Sequence, residues 1–79
     1  MSTETIKQTL STIRAMGLAA RWSSNGREYR VTWPHHYIKE TYGLQDRDAR
    51  EKGESLAYYT RDPQDAIDTA KKMVKESFG

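Results

Sequence analysis

Two periodicities run along this chain, one near 3.6 residues and one of 2. Ile6, Leu10 and Ile13 recur at i, i+4 and i+7, which puts them on one stripe of a helix. Ser2 or Thr3 stands where the helix needs an N-cap, and Glu4 suits the positive end of its dipole. Gly17 offers a left-handed stop, with Leu18 placed to pack back on Ile13. Lys7, Gln8, Ser11 and Arg14 are left for the solvent side.

From residue 19 the period drops to 2. Residues 19–23 read as a strand, Ser24-Asn25-Gly26 as a turn, and Arg27 or Glu28 to Trp33 as the partner strand. Asn-Gly is a strong hairpin signal because both residues tolerate positive φ. Alternation gives Leu18, Ala20 and Trp22 the same face as Tyr29, Val31 and Trp33. That face is the predicted core. Arg21, Ser23, Glu28, Arg30 and Thr32 share the opposite, open face.

Pro34 ends the second strand, since it cannot donate to a ladder. Residues 35–42 suit a short helix with Pro34 near its first turn and Gly43 closing it. Residues 45–52 are nearly all charged and read as a mobile loop or a frayed helix. Residues 54–60 read as a third strand, in which Leu56 and Tyr58 share one face and Ala57 and Tyr59 the other. The helical period then returns. Asp62 is an N-cap, Pro63 takes the first helical position, and Ala66, Ile67, Ala70, Met73, Val74 and Phe78 form a stripe. The predicted fold is α+β, in the order α-β-β-β-α. It is one domain over residues 1–79, a three-stranded antiparallel sheet with two helices packed on one face. A long insertion at residues 34–53 separates the second and third strands.

Composition narrows the class. The sequence has 79 residues, so a deep enclosed active site is hard to build. Cysteine is absent, which rules out disulfides and thiolate chemistry and fits a cytoplasmic setting. No apolar run approaches the ~20 residues of a membrane helix, and the N-terminal stretch does not read as a signal peptide. No membrane partner is therefore expected. Net charge is only +2, but it is unevenly spread. The positive excess lies before Pro34, and the last third is slightly acidic.

His35-His36 is the most enzyme-like feature, with Asp46, Asp48 and Glu51 near in sequence. The spacing matches no metal motif, and the glycines are isolated rather than gathered in a phosphate loop. No catalytic residue, metal or cofactor is expected, and a small metal-dependent nuclease is the least favoured reading. Arg21 and Arg30 beside Thr32 and Tyr59 suit single-stranded nucleic acid, where bases stack and phosphates pair. The plainer alternative is a solvated face, with both arginines paired to Glu28 or Glu54. A nucleic-acid surface would draw on Arg14, Arg21, Arg27, Arg30 and Tyr59. Tyr37, Ile38 and Tyr42 are either anchors for a protein partner or additional core.

Two resemblances bear on function. The α-β-β-β-α order is that of the double-stranded-RNA-binding domain. That family grips phosphates with lysines at the start of its second helix, where this chain has Asp62, Asp65 and Asp68. Binding in that mode is disfavoured. The stretches Glu28-Tyr29-Arg30-Val31-Thr32-Trp33 and Ala57-Tyr58-Tyr59-Thr60-Arg61-Asp62, the latter leading into Asp65–Ala70, resemble small accessory proteins of bacteriophages, prophages and mobile elements. The resemblance covers about half the chain. It implies a non-enzymatic binding protein, monomer or homodimer, in the cytoplasm of a bacterial host cell. Its partner would be a host protein or protein–nucleic acid complex, as for an anti-CRISPR or another inhibitor of host defence. A nucleic-acid-binding accessory protein is the alternative.

Overall fold

The computed structural model describes residues 3–77. Ser2, the alternative helix cap, and Phe78, at the end of the last apolar stripe, lie outside them. The elements are α1 (Thr3–Ala15), β1 (Ala19–Ser23), β2 (Glu28–Thr32), α2 (His35–Tyr42), α3 (Asp46–Leu56), β3 (Tyr58–Thr60) and α4 (Pro63–Ser77). The strands form one antiparallel sheet in the order β1-β2-β3, which bears out the α+β class. No helix among the described residues is long and apolar enough to cross a membrane.

The predicted stripe of α1 buries Ile13 completely, and Ile6 and Leu10 pack around it. The last turn tightens, with Met16 and Gly17 donating to the carbonyls of Ile13 and Arg14, before Gly17 takes φ 92°. In α4 the Asp62 carboxylate accepts from the Gln64 amide at 3.0 Å, so Asp62 caps the helix as its residue type dictates. Ala66 and Ala70 then face the sheet at zero exposure. Together α1 and α4 cover the face that carries Leu18, Ala20, Tyr29 and Val31. Burying a side chain such as Ile13 or Val31 stabilises the fold by about 1.5–3 kcal/mol.

Three expectations give way. The hairpin turn does not place Asn25 and Gly26 at positive φ. The loop between Ser23 and Glu28 is four residues long, and its left-handed residue is Arg27, at φ 51°. The third strand is shorter than residues 54–60, because α3 runs on to Leu56 and only Tyr58–Thr60 pairs with β2. Finally, residues 46–56 form a regular helix, neither mobile loop nor frayed end.

The physical reason for α3 is a stripe of small residues. Ala49 and Gly53 are buried at i and i+4. They let α3 approach both Ile38 of α2 and the open face of β2. A Cβ on Gly53 would lie 3.2 Å from Ile38 Cδ1, closer than packing ordinarily allows. The Thr32 hydroxyl donates to the Gly53 carbonyl at 3.3 Å, pinning α3 to the strand. Helix α2 has the predicted bounds, with Gly43 left-handed at its C-cap. The insertion is thus a helical hairpin that covers part of the second sheet face, in the order α-β-β-α-α-β-α.

Candidate functional site

Register decides what the uncovered part of that face displays. Arg21 lies directly opposite Arg30, and Arg30 lies directly opposite Tyr59. Paired residues on antiparallel strands project to the same side, so the three form one row across the sheet. Tyr58 and Thr60 go to the helix-covered side, where the Tyr58 hydroxyl donates to Asp65 at 2.6 Å. Tyr59 is 41% exposed and faces the groove.

Two guanidinium groups directly opposite one another repel, and an ordinary sheet avoids the arrangement. Here one carboxylate offsets it. Glu54, on the last turn of α3, accepts from Arg30 Nη2 at 2.9 Å and Nε at 3.3 Å. Its other oxygen accepts from the Tyr59 hydroxyl. These contacts hold the Glu54 carboxyl below its ordinary value, the tyrosine hydrogen bond contributing most and the arginine next. The Arg21 side chain makes no hydrogen bond or salt bridge among the described residues.

The row opens into a groove. At one end a hollow of about 300 Å³ lies over Arg21, Ser23, Arg30 and Tyr59. It shares Arg21 and Arg30 with a cleft of about 390 Å³ between the sheet and α3. Trp33, His35 and Arg50 border the cleft, and Ile38 and Ala49 lie in its floor. The Arg50 side chain also makes no hydrogen bond or salt bridge among the described residues. The groove therefore offers three guanidinium groups against one carboxylate, with an aromatic ring at each end.

The other predicted residues are scattered. Arg14 donates from Nε and Nη2 to the Ala20 carbonyl, at 3.2 and 2.8 Å, and so is tied to the backbone of edge strand β1. Arg27 lies at the far end of the hairpin and not in the groove. Ile38 is 1% exposed and joins α2 to α3. Tyr37 leans on Trp33 with ring centroids 5.3 Å apart. Of Tyr37, Ile38 and Tyr42, Tyr42 alone is well exposed, at 48%, with Lys52 4.8 Å above its ring.

Of the two adjacent histidines, His35 is engaged with the start of α3. His35 Nε2 lies 3.3 Å from Asp46, which Lys39 also contacts at 2.8 Å. Lys39 first and His35 second hold the Asp46 carboxyl below its usual range, so this carboxylate joins α2 to the start of α3. Among the described residues no group of three His, Asp or Glu is placed to hold a metal. The start of α4, where a double-stranded-RNA-binding domain would be basic, presents carboxylates already in use. Asp62 caps, Asp65 holds Tyr58, and Asp68 accepts from Gln64.

Sequence reasoning reached Arg21 and Arg30 through alternation and named Tyr59 beside them, although only the register with β2 gives Tyr59 its face. It missed Arg50, and it named Glu54 as a partner of the arginines from a third strand, not from a helix. Their signal was present in the spacing Ala49, Gly53, Leu56, which is helical once small residues are counted as a packing face. Comparison with protein families, curated proteins and solved structures found no match.

Proposed function

We propose that this protein is a non-enzymatic binding module that takes single-stranded nucleic acid along the groove of its open sheet face. The observation that carries the reading is the cross-strand row Arg21, Arg30, Tyr59. A strained pair of like charges beside an exposed ring suits a chain of phosphates and splayed bases. Arg21 and Arg50 supply guanidinium groups not engaged in hydrogen bonds, and Tyr59 a stacking face. Its hydroxyl is tethered by Glu54, so the ring is already oriented before a base arrives. A duplex, whose bases are already stacked, offers no free base face to the Tyr59 ring.

The test is fluorescence anisotropy with a labelled oligonucleotide of about 12 nucleotides, its duplex and an acidic peptide of equal charge. The single strand is expected to bind best. Arg21→Gln should weaken it and lower the slope of log affinity against log salt by about 0.7, one phosphate contact. Tighter binding of the acidic peptide, or affinity that ignores salt, would overturn this reading.

A second reading is favoured by one observation, the exposure of Tyr42 at the far end of α2. A host protein, as the mobile-element resemblance implies, would dock on this ring and block its target sterically. A stoichiometric protein partner that survives nuclease and is lost in Tyr42→Ala would move the conclusion there.

A further inference from the structure

One basic cluster stands outside the groove. At the far end of the hairpin a hollow of about 370 Å³ is lined by Ile6 of α1, Trp22 of β1, Ser24 and Arg27 of the turn, and Arg61 after β3. Arg27 and Arg61 make no hydrogen bond or salt bridge among the described residues. Among the described residues no carboxylate lines the hollow. Its chemistry is two guanidinium groups beside an indole ring and an aliphatic side chain.

The backbone supplies a second, independent observation. Among the described residues Arg27 is the one non-glycine with positive φ. A left-handed position at the end of a turn favours Gly or Asn, and a long side chain there is strained. Gly26 sits one residue too early to relieve it. Strain held at an exposed arginine points to a use for the side chain itself. The Trp22 ring, in turn, is braced edge-on by Tyr29, with centroids 4.8 Å apart. Trp22 is also among the residues lining the Arg21–Tyr59 end of the groove, so the two hollows meet at this residue of the hairpin.

We propose that Trp22, Arg27 and Arg61 form a second subsite, which takes one nucleotide of a strand whose adjoining segment lies in the groove. The base packs on Trp22 and Ile6, and the phosphate sits between the two guanidinium groups. This inference rests on the single-strand reading and lengthens its track. A mixed aromatic and cationic site of this kind is sequence-tolerant, since every base has a π face.

The two tryptophans make the test separable, because Trp22 reports on this subsite and Trp33 on the cleft. In uniformly nitrogen-15-labelled protein each gives one indole N–H signal, assigned with Trp33→Phe. On titration with an oligothymidylate of about 12 nucleotides, both signals are expected to shift. In the double variant Arg27→Gly with Arg61→Gln, the Trp22 shift should be lost and the Trp33 shift kept. The salt slope should fall by about 1.4, two phosphate contacts. Arg27→Gly alone should weaken binding while leaving the thermal midpoint unchanged or higher, an effect a purely structural arginine would not show. If Trp33 moves and Trp22 does not, the subsite is refuted and the groove stands. If neither moves, the single-strand reading itself fails. Trp22 shifts produced by an acidic peptide but not by the oligonucleotide would also overturn the proposal. So would unchanged affinity in Arg27→Gly.

Discussion

Glu54 sits between stability and binding. It neutralises Arg30 and tethers Tyr59, yet it is the one carboxylate in a groove proposed to take phosphates. The folded protein holds its carboxyl below the ordinary value of 4.5, the Tyr59 hydroxyl first and the Arg30 guanidinium second. A depressed carboxylate stabilises the fold fully above its unfolded value and loses that contribution as pH falls through the folded one. Wild type should therefore exceed Glu54→Gln in stability by a constant margin from about pH 7 to about pH 5, and the gap should close below that. Urea unfolding of the pair across that range checks the sign. Binding should move the other way. Glu54→Gln removes a negative charge from the groove, so its oligonucleotide affinity at neutral pH should rise several-fold. Affinity that falls in this variant would mean that the Tyr59 tether matters more than the charge.

At the level of elements, α3 decides whether there is a groove at all. It carries Arg50 and Glu54, and it stays on the sheet through Ala49, Gly53 and the Thr32 hydrogen bond. Gly53→Val should place a branched side chain against Ile38 and β2. Overpacking of this kind costs about 1–3 kcal/mol. Denaturant unfolding should show that loss, and single-strand binding should fall with it because the cleft wall moves. The helix also shows where reading the sequence reached and where it stopped. The stripe of α1, the alternation of β1 and β2 and the Asp62 cap are written in large apolar residues or in strong local hydrogen bonding, so they were legible. Helix α3 is held by an alanine and a glycine. Their small size is what the packing needs, and that is why a scan for large apolar residues reads the segment as solvated. The turn was misread for a related reason. Asn25-Gly26 permits a two-residue loop, but the Ser23–Glu28 pairing requires four residues and moves the left-handed position to Arg27. Which face of β3 is buried depended on its register with β2, a non-local fact that no pattern in residues 54–60 contains.

On the whole molecule, the fold sorts charge by surface. The start of α4 presents Asp62, Asp65 and Asp68, each in a local hydrogen bond. The opposite sheet face presents Arg21, Arg30 and Arg50. Net charge understates this division, because a total of +2 hides one basic face and one acidic end. Edge strand β1 is also partly closed, as Arg14 covers the Ala20 carbonyl, which works against edge-to-edge pairing there. The proposed groove would take an anionic chain on one side only. The most direct measurement is amide chemical-shift mapping with an unlabelled single-stranded oligonucleotide of about 12 nucleotides. The account predicts that the largest shifts follow Arg21, Arg30 and Tyr59 and the groove side of α3, while α4 around Asp68 stays silent. Shifts centred on Tyr42 or on Asp68, or none at all, would contradict it.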